Sequence, residues 1–109
     1  MAYDETLAER VRSVLEARPE LSERRMFGGI AFMIGGNMAV GVIDDDLMVR
    51  HDPEDSERML ADPNARPMDF TGKPMRGMLF VDSAGTTEDA DLVAWVELGA
   101  DFAASLPPK

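Results

Sequence analysis

Apolar residues recur every three or four positions near the N-terminus, cluster in β-rich runs through the middle, and return to helical spacing near the C-terminus. Leu7, Val11, Val14 and Leu15 form the first stripe, Asp4 stands where an N-cap belongs, and Pro19 closes the segment. This spacing predicts an amphipathic helix from Asp4 to Arg18. Arg25–Ile34 and Met38–Ile43 are rich in β-formers and flank Gly35-Gly36-Asn37, which suits the positive φ of a tight turn, so they predict a hairpin. Asp44-Asp45-Asp46 predicts a second turn and Leu47–His51 a third strand, completing an antiparallel meander.

Asp52 before Pro53, with acid in the first turn, predicts a short helix carrying Met59, Leu60 and Ala61 and stopped by Pro63. Arg66–Phe70 and Pro74–Val81 predict two further strands around Thr71-Gly72-Lys73, and Pro67 and Pro74 place them toward a sheet edge. Thr86-Thr87-Glu88-Asp89 matches a capping box, and Leu92, Trp95, Val96, Gly99, Phe102, Ala103 and Leu106 follow at helical spacing, up to Pro107-Pro108. Trp95 lies on that apolar stripe and is expected to anchor the core. The order α-β-β-β-α-β-β-α predicts one α+β domain over residues 1–109, with a five-stranded antiparallel sheet and helices mainly on one face.

Charge and composition then remove several function classes. Eleven basic against twenty-one acidic side chains give a formal charge of −10, which repels phosphate backbones and anionic lipid and argues against direct nucleic-acid or membrane binding. The absence of cysteine excludes thiol chemistry and suits a reducing compartment, and the acidic N-terminus is unlike a secretory signal; a cytoplasmic location is the expectation. No phosphate-loop or dinucleotide fingerprint occurs, and no serine sits in an elbow sequence, so neither nucleotide hydrolysis nor serine catalysis has motif support. His51, the sole histidine, reads as a pH-sensitive surface residue, and Asp44-Asp45-Asp46 lacks the spacing of a calcium loop, so neither a metal nor a cofactor is expected.

Three features remain as candidate sites. Gly28 and Gly29, after Arg25 and Phe27, either expose backbone N–H groups to an anion or admit a close packing neighbour. Arg25, Arg50, Arg66, Lys73 and Arg76 either gather around an anionic ligand or pair with the surplus carboxylates. Strand alternation puts Ile30, Phe32 and Ile34 on one face and Phe27, Ala31 and Met33 on the other, so this strand is apolar on both sides. One helical layer covers one face only. The second face is then either closed by the protein's own turns or is a methionine-rich contact surface, which a homodimer satisfies as well as a foreign partner.

Arg25-Met26-Phe27-Gly28-Gly29, the hairpin after it, Asp46–Arg50, and the run from Arg66 through Gly77 (Arg-Pro-Met-Asp-Phe-Thr-Gly-Lys-Pro-Met-Arg-Gly) resemble the N-terminal domain of the TfoX/Sxy competence regulators over nearly the whole chain. The resemblance implies a secretion-chaperone-like two-layer α+β fold and a bacterial regulatory role. Members of the family are associated with natural competence and with assisting a cyclic-AMP receptor protein, through a two-domain chain whose helical second half is not in this sequence. Residue roles do not transfer from such isolated domains. The expected function is therefore a non-enzymatic regulatory or adaptor domain that contacts a protein partner, a transcription factor on the family's example, and that self-associates. The alternative is a small anionic-ligand sensor built on the basic cluster, with Arg25, Phe27, Gly28, Gly29, Met33, Arg50, Lys73 and Arg76 as the site residues between the two readings.

Overall fold

The computed structural model describes residues 3–26, 28–69 and 74–108. Its first helix, α1 (Glu5–Leu15), starts where Asp4 accepts hydrogen bonds from the N–H groups of Thr6 (2.9 Å) and Leu7 (3.1 Å), as its sequence predicts. Six strands follow: β1 (Leu21–Met26), β2 (Gly29–Ile34), β3 (Asn37–Ile43), β4 (Asp46–Arg50), β5 (Ala65–Asp69) and β6 (Pro74–Val81). Between β4 and β5, Asp52 caps a 3-10 turn at Pro53–Asp55 and the short α2 (Ser56–Leu60) continues it. After β6 comes α3 (Asp89–Ser105). All pairings are antiparallel, in the order β1-β2-β3-β4-β6-β5.

The α+β class holds, but the sheet has six strands rather than five. The run expected as one strand, Arg25–Ile34, is divided: Arg25 and Met26 end β1, Gly28 at φ +75° turns the chain, and Met26 pairs with Gly29 at the start of β2. Leu21–Arg25 escapes notice in the sequence because Ser22, Glu23, Arg24 and Arg25 are exposed, which suits an edge strand. At the opposite edge β5 carries Pro67, where a missing N–H costs no ladder bond. Gly35 and Gly36, at φ +59° and +82°, form the β2–β3 turn. Asn37 belongs to β3 instead, buried, with its side-chain amide donating to the Pro107 carbonyl (2.9 Å).

Alternation along the register sorts the side chains. Ile30, Phe32, Val40, Val42, Leu47, Val49, Leu79 and Val81 share one face and pack in one cluster with Leu7, Val11 and Leu15 of α1, Met59 of α2, and Leu92, Val96, Ala100 and Ala103 of α3. All three helices thus contribute to that one face. Close approach depends on Gly99, where a Cβ would lie 2.5 Å from the Ala39 carbonyl oxygen and 2.7 Å from Val40 Cγ1. The capping box expected at Thr86–Asp89 does not form. Both threonine hydroxyls donate to the Ser83 carbonyl in a 3-10 turn, and α3 begins after Glu88 without a side-chain cap.

His51 also departs from expectation. It is 1% exposed, its backbone N–H donates to the Gly77 carbonyl (2.8 Å), and its ring Nδ1 lies 2.9 Å from the Asp52 carbonyl oxygen, to which it donates. Gly77, at φ +84°, lets β6 close on this segment.

Gly99→Ala provides a test of the packing. In an exposed helix interior the change is favourable by about 1 kcal/mol; here it is expected to lower the thermal midpoint, because the new methyl meets backbone rather than a movable side chain. A midpoint that rises would show that α3 does not rest on β3 through this glycine.

Candidate functional site

The sheet face away from the helices is lined by Ala31 and Met33 of β2, Met38, Gly41 and Ile43 of β3, Met48 of β4, and Met78 and Phe80 of β6. Its centre is closed. Ala31 and Met48 are 0% exposed, and the Met48 methyl occupies the space a Cβ on Gly41 would take, 2.4 Å from that position. Around this centre Met33, Met38, Ile43, Met78 and Phe80 are half-buried, so the surface is apolar without any fully projecting side chain. Phe80 is roofed by the Arg66 guanidinium, 4.9 Å from the ring centroid. Among the described residues the single large apolar side chain that is exposed is Val93, on α3.

Gly29 has a packing role in this arrangement. A Cβ there would lie 2.2 Å from the Val42 carbonyl oxygen and 2.7 Å from Ile43 Cγ1, so only glycine lets the first hairpin close on β3. Around Gly28, by contrast, a Cβ would meet nothing within 4 Å, and the positive φ is what favours glycine.

Of the proposed basic cluster, Arg25 and Arg50 do not come together. Arg25 aligns with Ile30, Val42 and Leu47 across the sheet, whereas Arg50 lies three residues further along β4 at the opposite end. With strands about 4.8 Å apart and a rise of about 3.3 Å per residue, their backbones are roughly 17 Å apart. Arg50 instead stacks on Phe102 of α3, 5.7 Å from the centroid. Arg76 lies on β6 near Arg50, but its side chain, like Phe27 and Lys73, is outside the described residues.

Most other arginines are held by carboxylates. Arg12 makes a two-pronged contact with Glu23 (2.6 and 2.7 Å) that joins α1 to β1; Arg18 bridges Glu97 and Asp101; Arg66 bridges Asp46 and Asp82; Arg10 meets Asp89 and Arg58 meets Asp55. Asp46, expected in the second turn, thus starts a strand and holds an ion pair. Among the described side chains, Arg24 and Arg25 alone of the arginines have neither a carboxylate nor a ring partner. Both are exposed on β1, the edge strand.

Trp95 is half-buried, packed against the core cluster rather than enclosed by it. Its indole helps wall a cavity of about 300 Å³ between α3 and the α2–β5 turn, with Asp62, Asn64, Gly85, Asp91 and Leu98. The described residues contain no group of three or more His, Cys, Asp or Glu placed to hold a metal ion, and no helix long and apolar enough to cross a membrane.

The hydrogen bonds from Arg12 hold the Glu23 carboxyl below the ordinary glutamate range. A lowered folded-state value contributes stability above the unfolded-state value and loses it as pH falls through the folded one. Both groups are substantially solvent-exposed, so the contribution is at most about 1 kcal/mol. Glu23→Gln is expected to lower the thermal midpoint slightly at neutral pH, with the difference from the unaltered protein vanishing on acidification. An offset that stays constant from neutral to strongly acidic pH would contradict this linkage.

The assembled geometry can be set beside known proteins. No curated protein and no solved structure matches the chain significantly. The TfoX N-terminal domain matches over residues 13–103, from the last turn of α1 almost to the end of α3, and includes all six strands. It is not a known enzyme family. With most of its length inside that match, the chain belongs to the TfoX N-terminal domain family.

Proposed function

We propose that this chain is a non-enzymatic regulatory or adaptor domain that works through protein–protein contact on the helix-free side of its sheet. Family membership supports a regulatory domain. The observation that carries the contact reading is the ring of half-buried methionines, Met33, Met38 and Met78, around the closed centre at Ala31 and Met48. Flexible thioethers adapt to a partner's shape with little penalty when the partner is absent, since each is already partly covered by its neighbours. A second copy of the chain or a foreign protein, a transcription factor on the family's pattern, is the occupant this surface suits. The cytoplasm is the compartment consistent with it.

The anion-sensor alternative is weaker because Arg25 and Arg50 lie at opposite ends of the sheet and Arg50 is engaged by Phe102.

Affinity capture from a native lysate, paired with light scattering on the purified protein, tests the reading. Met33→Glu combined with Met38→Glu is expected to abolish capture or self-association while shifting the thermal midpoint by only a few degrees, because neither side chain belongs to the main core. Capture or dimerisation that survives the double substitution would place the contact elsewhere. A monomer that captures nothing would sink the reading.

A further inference from the structure

We infer that the free edge of β1 is a docking strand for an extended acidic segment of a partner protein, added antiparallel to the sheet. The inference rests on the protein-contact reading above and adds, beside that sheet face, a second contact with its own chemistry.

The backbone is presented in a defined register. The Gly35 N–H donates to the Glu20 carbonyl (3.1 Å), so the Glu20 carbonyl points toward β2. Successive residues of an extended strand turn their peptide groups to opposite sides, and Leu21, Glu23 and Arg25 therefore turn their N–H and C=O groups away from β2. β1 is the last strand on its side, and these groups are the open edge. Unlike β5, with Pro67, this strand contains no proline, so every outward N–H is available.

The side chains choose the partner. Among the described side chains, Arg24 and Arg25 are the two arginines left without a carboxylate or ring, in a chain that carries ten more acidic than basic groups. Being consecutive, they project to opposite faces, and directly opposed residues of an added strand share a face with their partners. Two successive acidic residues on the incoming segment therefore meet one arginine each. Glu23 does not oppose this, because Arg12 already holds it. The overall negative charge is felt weakly at this site, since screening at physiological salt limits strong interactions to about 8 Å.

The same edge discourages self-pairing. Two copies joined edge to edge by a two-fold axis normal to the sheet must centre on one residue. Of the registers that use most of β1, the one centred on Glu23 sets Glu23 opposite Glu23, and the one centred on Arg24 sets Arg24 opposite Arg24 while offering Arg25 only Glu23, a carboxylate that Arg12 already holds. An acidic foreign strand meets both arginines with free carboxylates and no like-charge pair, which neither register of a second copy does.

The test uses three fluorescent octapeptides of alternating threonine and valine with a central Glu-Glu, Gln-Gln or Lys-Lys pair, titrated against the full chain by anisotropy. The Glu-Glu peptide is expected to bind about tenfold more tightly than Gln-Gln, and Lys-Lys not measurably. Arg24→Glu with Arg25→Glu is expected to reverse the order of Glu-Glu and Lys-Lys, a swap that damage to the fold would not produce. Amide NMR shifts on Glu-Glu binding are expected to centre on Leu21–Arg25. Equal binding of all three peptides, no binding at millimolar concentration, or shifts centred elsewhere overturns the inference, as does a light-scattering dimer that the double reversal disrupts. Lysate capture that persists in the double reversal would overturn this edge while leaving the adaptor reading intact. Charge-selective peptide binding with no partner captured would support the edge and count against the adaptor reading alone.

Discussion

Gly99 brings α3 so close to β3 that a single added methyl would collide with the Ala39 carbonyl oxygen, and this contact seats the longest helix on the sheet. Once α3 lies there, α1 fits beside it, with Arg18 just past the helix reaching Glu97 and Asp101 of α3 and Arg12 holding α1 to Glu23 of β1. Met59 of α2 joins the same cluster at the β6 side. The helices thus spend their apolar stripes on one sheet face. Whatever lies on the other face must be shielded by its own side chains or by something outside the domain.

That second face is closed at the centre and looser around it. Gly41 leaves a slot that the Met48 side chain fills, and Ala31 lies beneath its neighbours, so the middle of the face excludes water without a covering element. The outer methionines are only half-covered. Such a surface avoids the large exposed patches that drive aggregation yet still has apolar area to lose on association. β1 beside it adds a free edge with two unpaired cations, which is how one small domain can combine an adaptable apolar surface with a charge-selective strand.

Much of this architecture is legible in the sequence, and the failures have physical causes. The periodic apolar stripes of α1 and α3, the Gly35-Gly36 turn and the proline-marked β5 edge follow from local chemistry. β1 does not, because an edge strand packed on one side can be as polar as Ser22-Glu23-Arg24-Arg25, and polarity without alternation reads as loop. The Gly28-Gly29 pair was open to a bulge or a close approach; Gly28 is needed for its φ and Gly29 for its contact with the Val42 carbonyl, two different reasons in adjacent residues. His51 is buried because Gly77, twenty-six positions away, lets β6 approach, a constraint no local window contains. The separation of Arg25 from Arg50 was hidden for a similar reason: sequence places arginines on strands, but only the strand order and register put these two at opposite ends.

The central claim is that one sheet face is covered by helices and the other is covered only by itself. Methyl-labelled methionine NMR with a soluble paramagnetic agent measures this directly in the isolated protein. The account predicts strong attenuation of the Met33, Met38 and Met78 methyl signals, with Met48 and Met59 protected. Equal protection of all five would show that the outer methionines are already enclosed and would contradict it.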